Sequence, residues 1–112
     1  MEALLTYGGG TVCDDGFTYN SANAICKEMG FTGSARWSNG LRYDLQNNLT
    51  ISLGDVTCSD EDWASCDYST SHDCSHSEDV FLQCGGNCAL FHSVYILSFL
   101  KLPEPLNGHC GI

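Results

Sequence analysis

Basic residues are scarce in this chain: four Lys and Arg stand against fourteen Asp and Glu in 112 residues, a formal net charge of −10 at pH 7. Contacts to phosphate need Lys and Arg, so the composition excludes a nucleic-acid backbone as the physiological partner. An acidic surface keeps a protein soluble, and it suits hard cations or basic partners drawn in by electrostatic steering. Long apolar runs are also missing. The longest, Ala89 to Leu102, is interrupted by His92 and Lys101 and falls short of the roughly 20 residues a bilayer crossing needs. Attachment to a membrane is therefore expected only through other segments of a parent protein. No basic stretch leads into an apolar run in the manner of a secretion signal, which suggests a piece of a longer secreted or membrane-anchored protein. Internal repeats are absent. So are the paired CxxC knuckles of structural zinc sites. His72 and His76 neighbour Ser71, Ser75 and Ser77 in sequence, but adjacency does not make a nucleophile and base, and the chain reads as no enzyme.

What the chain does have is cysteine. Eight cysteines, roughly 7 per cent of the residues, approach the density of a disulfide scaffold from an oxidising compartment, so an extracellular location is expected. The length suits one domain with one core. Six cysteines fall at positions 13, 26, 58, 66, 74 and 84, and their spacing alone leaves fifteen pairings open.

Local patterns outline the elements. Ala3 to Tyr7 and Thr11 to Cys13 read as two strand pieces joined by a tight turn at Gly8, Gly9 and Gly10. From Asn20 to Met29, the apolar residues Ala22, Ile25, Cys26 and Met29 recur at helical spacing. Asn20 or Ser21 is expected to cap that helix and Gly30 to stop it. Thr32 to Asn48 reads as a long loop with one or two short strands, pinned by Trp37 and Tyr43. Leu49, Ile51 and Leu53 alternate with Thr50 and Ser52 as in a strand, and Val80 to Leu82 looks like a short closing strand. Asn48-Leu49-Thr50 is an N-glycosylation sequon.

The segments GGTVCDDGF, NSANAICKEMGF, ISLGDVTC, WASC and HDCSHSEDVFLQC, in this order, together resemble the scavenger receptor cysteine-rich family in its six-cysteine subclass. Phe31 stands where eight-cysteine members carry a further cysteine. The resemblance spans residues 1–84 as one domain and leaves 85–112 as an unassigned extension. It implies an α+β fold in which a curved, mostly antiparallel sheet cradles one helix. It also implies the pairs Cys13–Cys74, Cys26–Cys84 and Cys58–Cys66, with Cys88 and Cys110 left to pair with each other or with a neighbouring domain. Family members usually have a further strand ahead of the glycine turn and a tryptophan where Gly9 stands, so an incomplete N-terminal edge is expected.

The same resemblance implies a calcium site at Asp14, Asp15 and Glu78, which a Cys13–Cys74 bridge would draw together. A second cation site found in some members is not expected, because Thr18 and Ser21 lack charge at the helix start and only Asp55, Asp60 and Glu61 remain. A calcium ion with few protein ligands keeps coordination positions open for sulfate, phosphate or carboxylate, and Arg36 and Arg42 can add direct contacts. The implied function is extracellular recognition of polyanionic, glycan or protein ligands. The other reading is a non-catalytic accessory module that positions other domains of a larger receptor or secreted protease.

Overall fold

The computed structural model describes residues 2–85 and, for residues 96–99, the backbone alone. Cys88 and Cys110 lie outside the described residues. Two strands, β1 (Ala3–Tyr7) and β2 (Gly10–Val12), form a hairpin with Thr6 opposite Thr11 and Tyr7 opposite Gly10. Its two turn residues, Gly8 and Gly9, have φ of 60° and 89°. Two successive positive φ values define the hairpin turn whose twist matches that of the strands, and glycine adopts them without steric cost.

The helix α1 spans Tyr19–Glu28. Its cap is Thr18, ahead of the Asn20 or Ser21 expected from sequence. Ser21 N donates to Thr18 Oγ1 at 3.3 Å, and Thr18 N donates to Ser21 Oγ at 3.1 Å, a reciprocal box that satisfies two otherwise unpaired amides. Ser21 Oγ also donates to Val56 O at 2.8 Å, which ties the helix start to the sheet. Gly30, at φ 93°, ends the helix in the left-handed conformation. The expected inner face, Ala22, Ile25, Cys26 and Met29, is buried throughout.

The remaining strands are β3 (Ala35–Asn39), β4 (Ile51–Cys58), β5 (Cys66–Ser69), β6 (Val80–Cys84) and β7 (Ile96–Phe99). The sheet runs β3-β6-β1-β2-β4-β5, with β7 also paired to β1. Most pairs are antiparallel; β2 with β4 and β1 with β7 are parallel. β1 thus lies inside the sheet, between β6 and β2. With α1 packed on β3, β4 and β6, the fold is α+β as expected.

Side-chain alternation divides the sheet into two faces. Ala3, Leu5, Val12, Leu53, Val80 and Leu82 join the helix residues in the main core. Leu4 and Phe81, paired across β1 and β6, are fully buried yet outside that cluster. The long segment after β3 covers this second face: the Tyr43 ring lies 5.9 Å from Phe81, and the Arg42 guanidinium sits 4.0 Å over the Phe81 ring. Trp37 points the other way, edge-on to Phe17 at 4.9 Å.

Along β4 the alternation breaks. Asp55 has φ 53°, and the register to β5 shifts between Gly54 and Thr57. Continued alternation from Leu53 would turn Asp55 inward. The irregularity instead exposes Asp55 and Thr57 and buries Val56 and Cys58, as a bulge does when it resets the phase of a strand.

Three bridges close the domain: Cys13–Cys74, Cys26–Cys84 and Cys58–Cys66, with sequence separations of 61, 58 and 8. These are the pairs implied by the resemblance. On the chain-entropy model the two long loops contribute about 4 kcal/mol each and the short one about 2.5 kcal/mol.

Candidate metal and ligand site

A tight turn after β2 presents the acidic pair. Phe17 N donates to Asp14 O at 3.0 Å, and Gly16, at φ 73°, occupies the position where a type II turn requires positive φ. A Cβ on Gly16 would also lie 2.6 Å from Thr57 Oγ1, so a side chain there would have to displace that hydroxyl. Cys13, just before the turn, is bonded to Cys74 and forms an isolated bridge with Asp79. These two links bring the turn against the single 3-10 turn His76–Glu78.

Asp15 and Glu78 each place a carboxylate oxygen in a group with the sulfurs of Cys13 and Cys74, all within 4.8 Å of one another. The sulfurs are joined to each other and offer no thiolate, so the donor set is two carboxylates. Glu78 Oε1 is buried without a hydrogen-bond partner among the described residues. A buried oxygen left unpaired and two carboxylates at close range are both unfavourable, and a hard, oxygen-seeking cation relieves both. The residues therefore fit calcium. Asp14, the third residue expected there, is not in the group, and its carboxylate accepts from Asn39 Nδ2 at the end of β3.

Beneath this face lies a buried carboxylate. Asp79 is fully inaccessible, and its Oδ2 accepts from Gln46 Nε2 at 2.9 Å and meets His76 Nδ1 at 2.8 Å. His76 Nε2 lies 2.9 Å from Leu49 O. Gln46, itself buried, also accepts from Arg42 N and Tyr43 N at 2.8 Å each and donates to Gly40 O at 3.0 Å. One amide thereby knits the long loop to the acidic turn. His72 has a different role: Cys74 N donates to its Nδ1 at 3.2 Å and its Nε2 faces Ile51 O at 2.9 Å, which assigns the ring a neutral form protonated at Nε2. Among the described residues neither ring is hydrogen-bonded to a hydroxyl, and the nearby Ser75 and Ser77 hydroxyls bond each other at 2.8 Å.

Arg36 and Arg42 share the outer face of β3 and β6. Arg36 pairs with Gln83 and Ser38 with Phe81, so Arg36 and Ser38 are same-face neighbours about 7 Å apart along the strand. Arg42 reaches the same place: its guanidinium donates to Ser38 Oγ and to Glu2 Oε1, the latter at 3.0 Å, while stacked on Phe81. Arg36 is exposed.

The residues considered for a second cation site do not gather among the described residues. Thr18 and Ser21 are spent on the helix cap. Asp60 Oδ1 accepts from Asp62 N and Asp62 Oδ1 from Ala64 N, while Glu61 Oε2 accepts from Asn23 Nδ2. Asn48 and Thr50 of the sequon are exposed. Asn39 and Gln46 escaped sequence reasoning, because a lone amide in a polar loop carries no signal of burial or of its partner.

Residues 2–85 match the family model described as the scavenger receptor cysteine-rich domain. The chain is 38% identical over 89 residues to lysyl oxidase homolog 4 of Homo sapiens, covering 75% of this chain and 12% of that protein. It is 29% identical over 110 residues to CD5 antigen-like of Homo sapiens, covering 90% of this chain and 29% of that one. It spans about a tenth of the length of the lysyl oxidase homologues it matches. Among solved structures, the SRCR domain of mouse MARCO in its dimeric form aligns at 28% identity with a TM-score of 0.53, covering 75% of this chain and 84% of that one. The cysteine pairing, the sheet around one helix and these matches agree: the chain belongs to the scavenger receptor cysteine-rich family, whose domains are non-catalytic extracellular modules of receptors and secreted proteins.

Proposed function

We propose that this domain binds calcium through Asp15 and Glu78, with Asp14 adding its charge from the same turn, and uses that ion to recognise anionic groups on extracellular ligands. The observation that carries the reading is the buried, unpartnered Glu78 Oε1 in a group that also holds the Asp15 carboxylate. Calcium takes six to eight oxygen ligands, so two or three protein carboxylates leave much of its shell for a sulfate, phosphate or carboxylate brought by a ligand. A strongly acidic domain can in this way hold a polyanion or an acidic glycan. Arg36, exposed on the outer face of β3, adds a direct contact; Arg42, engaged with Glu2, Ser38 and Phe81, chiefly holds the loop that shapes that face.

Calorimetric titration of the oxidised domain with calcium tests the reading, run beside an Asp15→Asn, Glu78→Gln double variant. Saturable binding that the double variant loses is the expected result. Heat equal in both proteins, or no heat in either, sinks it. The second reading, an accessory module that positions other domains, draws support from how small a share of its relatives the chain spans. Failure of the isolated domain to retain any anionic ligand in calcium would favour it.

A further inference from the structure

The sequon Asn48-Leu49-Thr50 plays no part in the cation site or the arginine face, and its surroundings give it another use. Asn48 is the last residue of the 3-10 turn Asp44–Asn48, and Leu49 beyond it is extended, at φ −97° and ψ 153°. The sequon thus leaves a single helical turn and enters β4 as extended chain, with the Asn48 and Thr50 side chains both exposed. Gln46, two residues before Asn48, is completely buried and bonded on all sides. The Asn48 amide has no hydrogen-bond partner among the described residues, so none of them needs it unmodified. The three disulfides supply an independent line: they form in the oxidising lumen of the secretory pathway, the compartment in which asparagine glycosylation takes place.

We infer that Asn48 carries an N-linked glycan that flanks the acidic face. In the modifying step the Asn48 side-chain nitrogen bonds to C1 of the first sugar of a lipid-linked oligosaccharide. The lipid pyrophosphate departs with the electron pair of the broken C–O bond, and the nitrogen loses one proton, with no redox change. The position of the glycan follows from a short chain of contacts. The carbonyl of Leu49, next to Asn48, faces His76 Nε2 at 2.9 Å, and His76 opens the one-turn segment that ends at Glu78. A branched oligosaccharide is much larger than that separation. It shields one side of the acidic face from a long polymer while leaving a calcium ion free access. This consequence for ligands rests on the functional reading above; the modification itself does not.

The test is secretion of the full chain from mammalian cells behind an appended signal sequence. Intact mass should exceed the polypeptide mass by one N-glycan, and peptide-N-glycosidase should remove it, leaving aspartate at position 48. The Asn48→Gln variant should lack the glycan, as should Thr50→Ala, which keeps the asparagine and separates sequon recognition from loss of the side chain. Secreted, disulfide-bonded protein with an unmodified Asn48 would overturn the assignment. Calcium titration and retention on immobilised heparin, before and after the glycosidase, test the flanking position. Calcium affinity is expected to stay the same while heparin retention rises several-fold. Loss of calcium binding in both states would remove the functional reading and leave the modification standing. Equal heparin retention with calcium bound would overturn the shielding.

Discussion

His76 is the counterpart of Asp79: its Nδ1 lies 2.8 Å from the Asp79 carboxylate while its Nε2 meets the Leu49 carbonyl at 2.9 Å. The ring thereby ties a carboxylate with no solvent access to the chain entering β4, and its loss would leave Asp79 Oδ2 with Gln46 as its remaining partner among the described residues. Removing one partner of a buried pair costs more than the pair itself contributes, because the other is left uncompensated. His76→Ala should therefore destabilise the domain by about 3 kcal/mol. His76→Gln, which can still donate one hydrogen bond, should recover part of the loss. Urea unfolding followed by Trp37 and Trp63 fluorescence measures both, and an alanine variant within 0.5 kcal/mol of the parent, the usual span of a neutral surface change, would refute the linkage (about that size).

The two arginines should separate. Arg42→Ala loses a cation over the Phe81 ring, an ion pair to Glu2 and a bond to Ser38, and it should cost about 1–2 kcal/mol of stability, little of it from the partly exposed ion pair. Arg36→Ala should leave stability within about 0.5 kcal/mol yet weaken heparin retention in calcium several-fold. Paired unfolding and retention measurements would show the reverse pattern if Arg36 were the structural residue.

Gly16 offers a test of the turn apart from the carboxylates. Gly16→Ala meets both a positive φ and the Thr57 hydroxyl, and the expected cost is about 1–3 kcal/mol. Because Asp15 is the residue just before it, calcium affinity should fall as well, although no ligand has been removed. An unchanged calorimetric isotherm would mean that the turn does not position Asp15.

Much of this arrangement was legible in the sequence, and the exceptions share a cause. Helix α1 was readable because its four inward residues repeat with the helical period, and the β1–β2 turn because adjacent glycines meet the need for two positive φ values. Bridge connectivity came through the resemblance, since spacing left fifteen pairings. Thr18 was missed because Ser21 and Asn20 are equally good capping types, and only the Val56 carbonyl, distant in sequence, fixes Ser21 as the inner partner. The separation of Asp14 from Asp15 depends on Asn39, and the depth of Asp79 depends on Gln46; both partners come from Thr32 to Asn48, a segment whose sequence promised one or two short strands but not which polar side chains turn inward. The pairing of β7 with β1 joins residues more than ninety positions apart (Leu4 with Ile96, for instance), beyond the reach of local pattern.

Tyr7 should carry a measurable pH signature. Its burial first, and then the charge and hydrogen bond of Tyr68, whose ring centre lies 6.4 Å away, raise its phenol above 10.0. The unfolded phenol releases its proton near 10.0, whereas the folded one holds it to higher pH. The folded state therefore binds more protons as pH rises past 10.0, and the stabilisation present below that pH is lost through the window up to the folded value. Tyr68→Phe removes two of the three causes and should move Tyr7 back toward 10.0. Tyrosinate absorbance, with Tyr7→Phe as the reference that isolates its contribution, follows the shift; a Tyr7 titration unaffected by Tyr68→Phe would leave burial as the whole cause.

Asp55 holds the phase of β4. Its positive φ lets Leu53 and Val56 both face inward although they are three residues apart, where a regular strand would put them on opposite faces. Asp is among the few side chains that tolerate this region, by bonding locally, whereas a β-branched residue does not. Asp55→Val is therefore expected to cost about 1–3 kcal/mol. Asp55→Gly should be close to neutral, because relief of strain is offset by the greater freedom of glycine in the unfolded chain. The two variants decide between backbone conformation and charge as the reason for the residue. Loss of stability in both would assign the role to the carboxylate, while loss in valine alone would assign it to the backbone, whose reversal at this point aligns Val56 O with the Ser21 hydroxyl and so couples the bulge to the start of the helix.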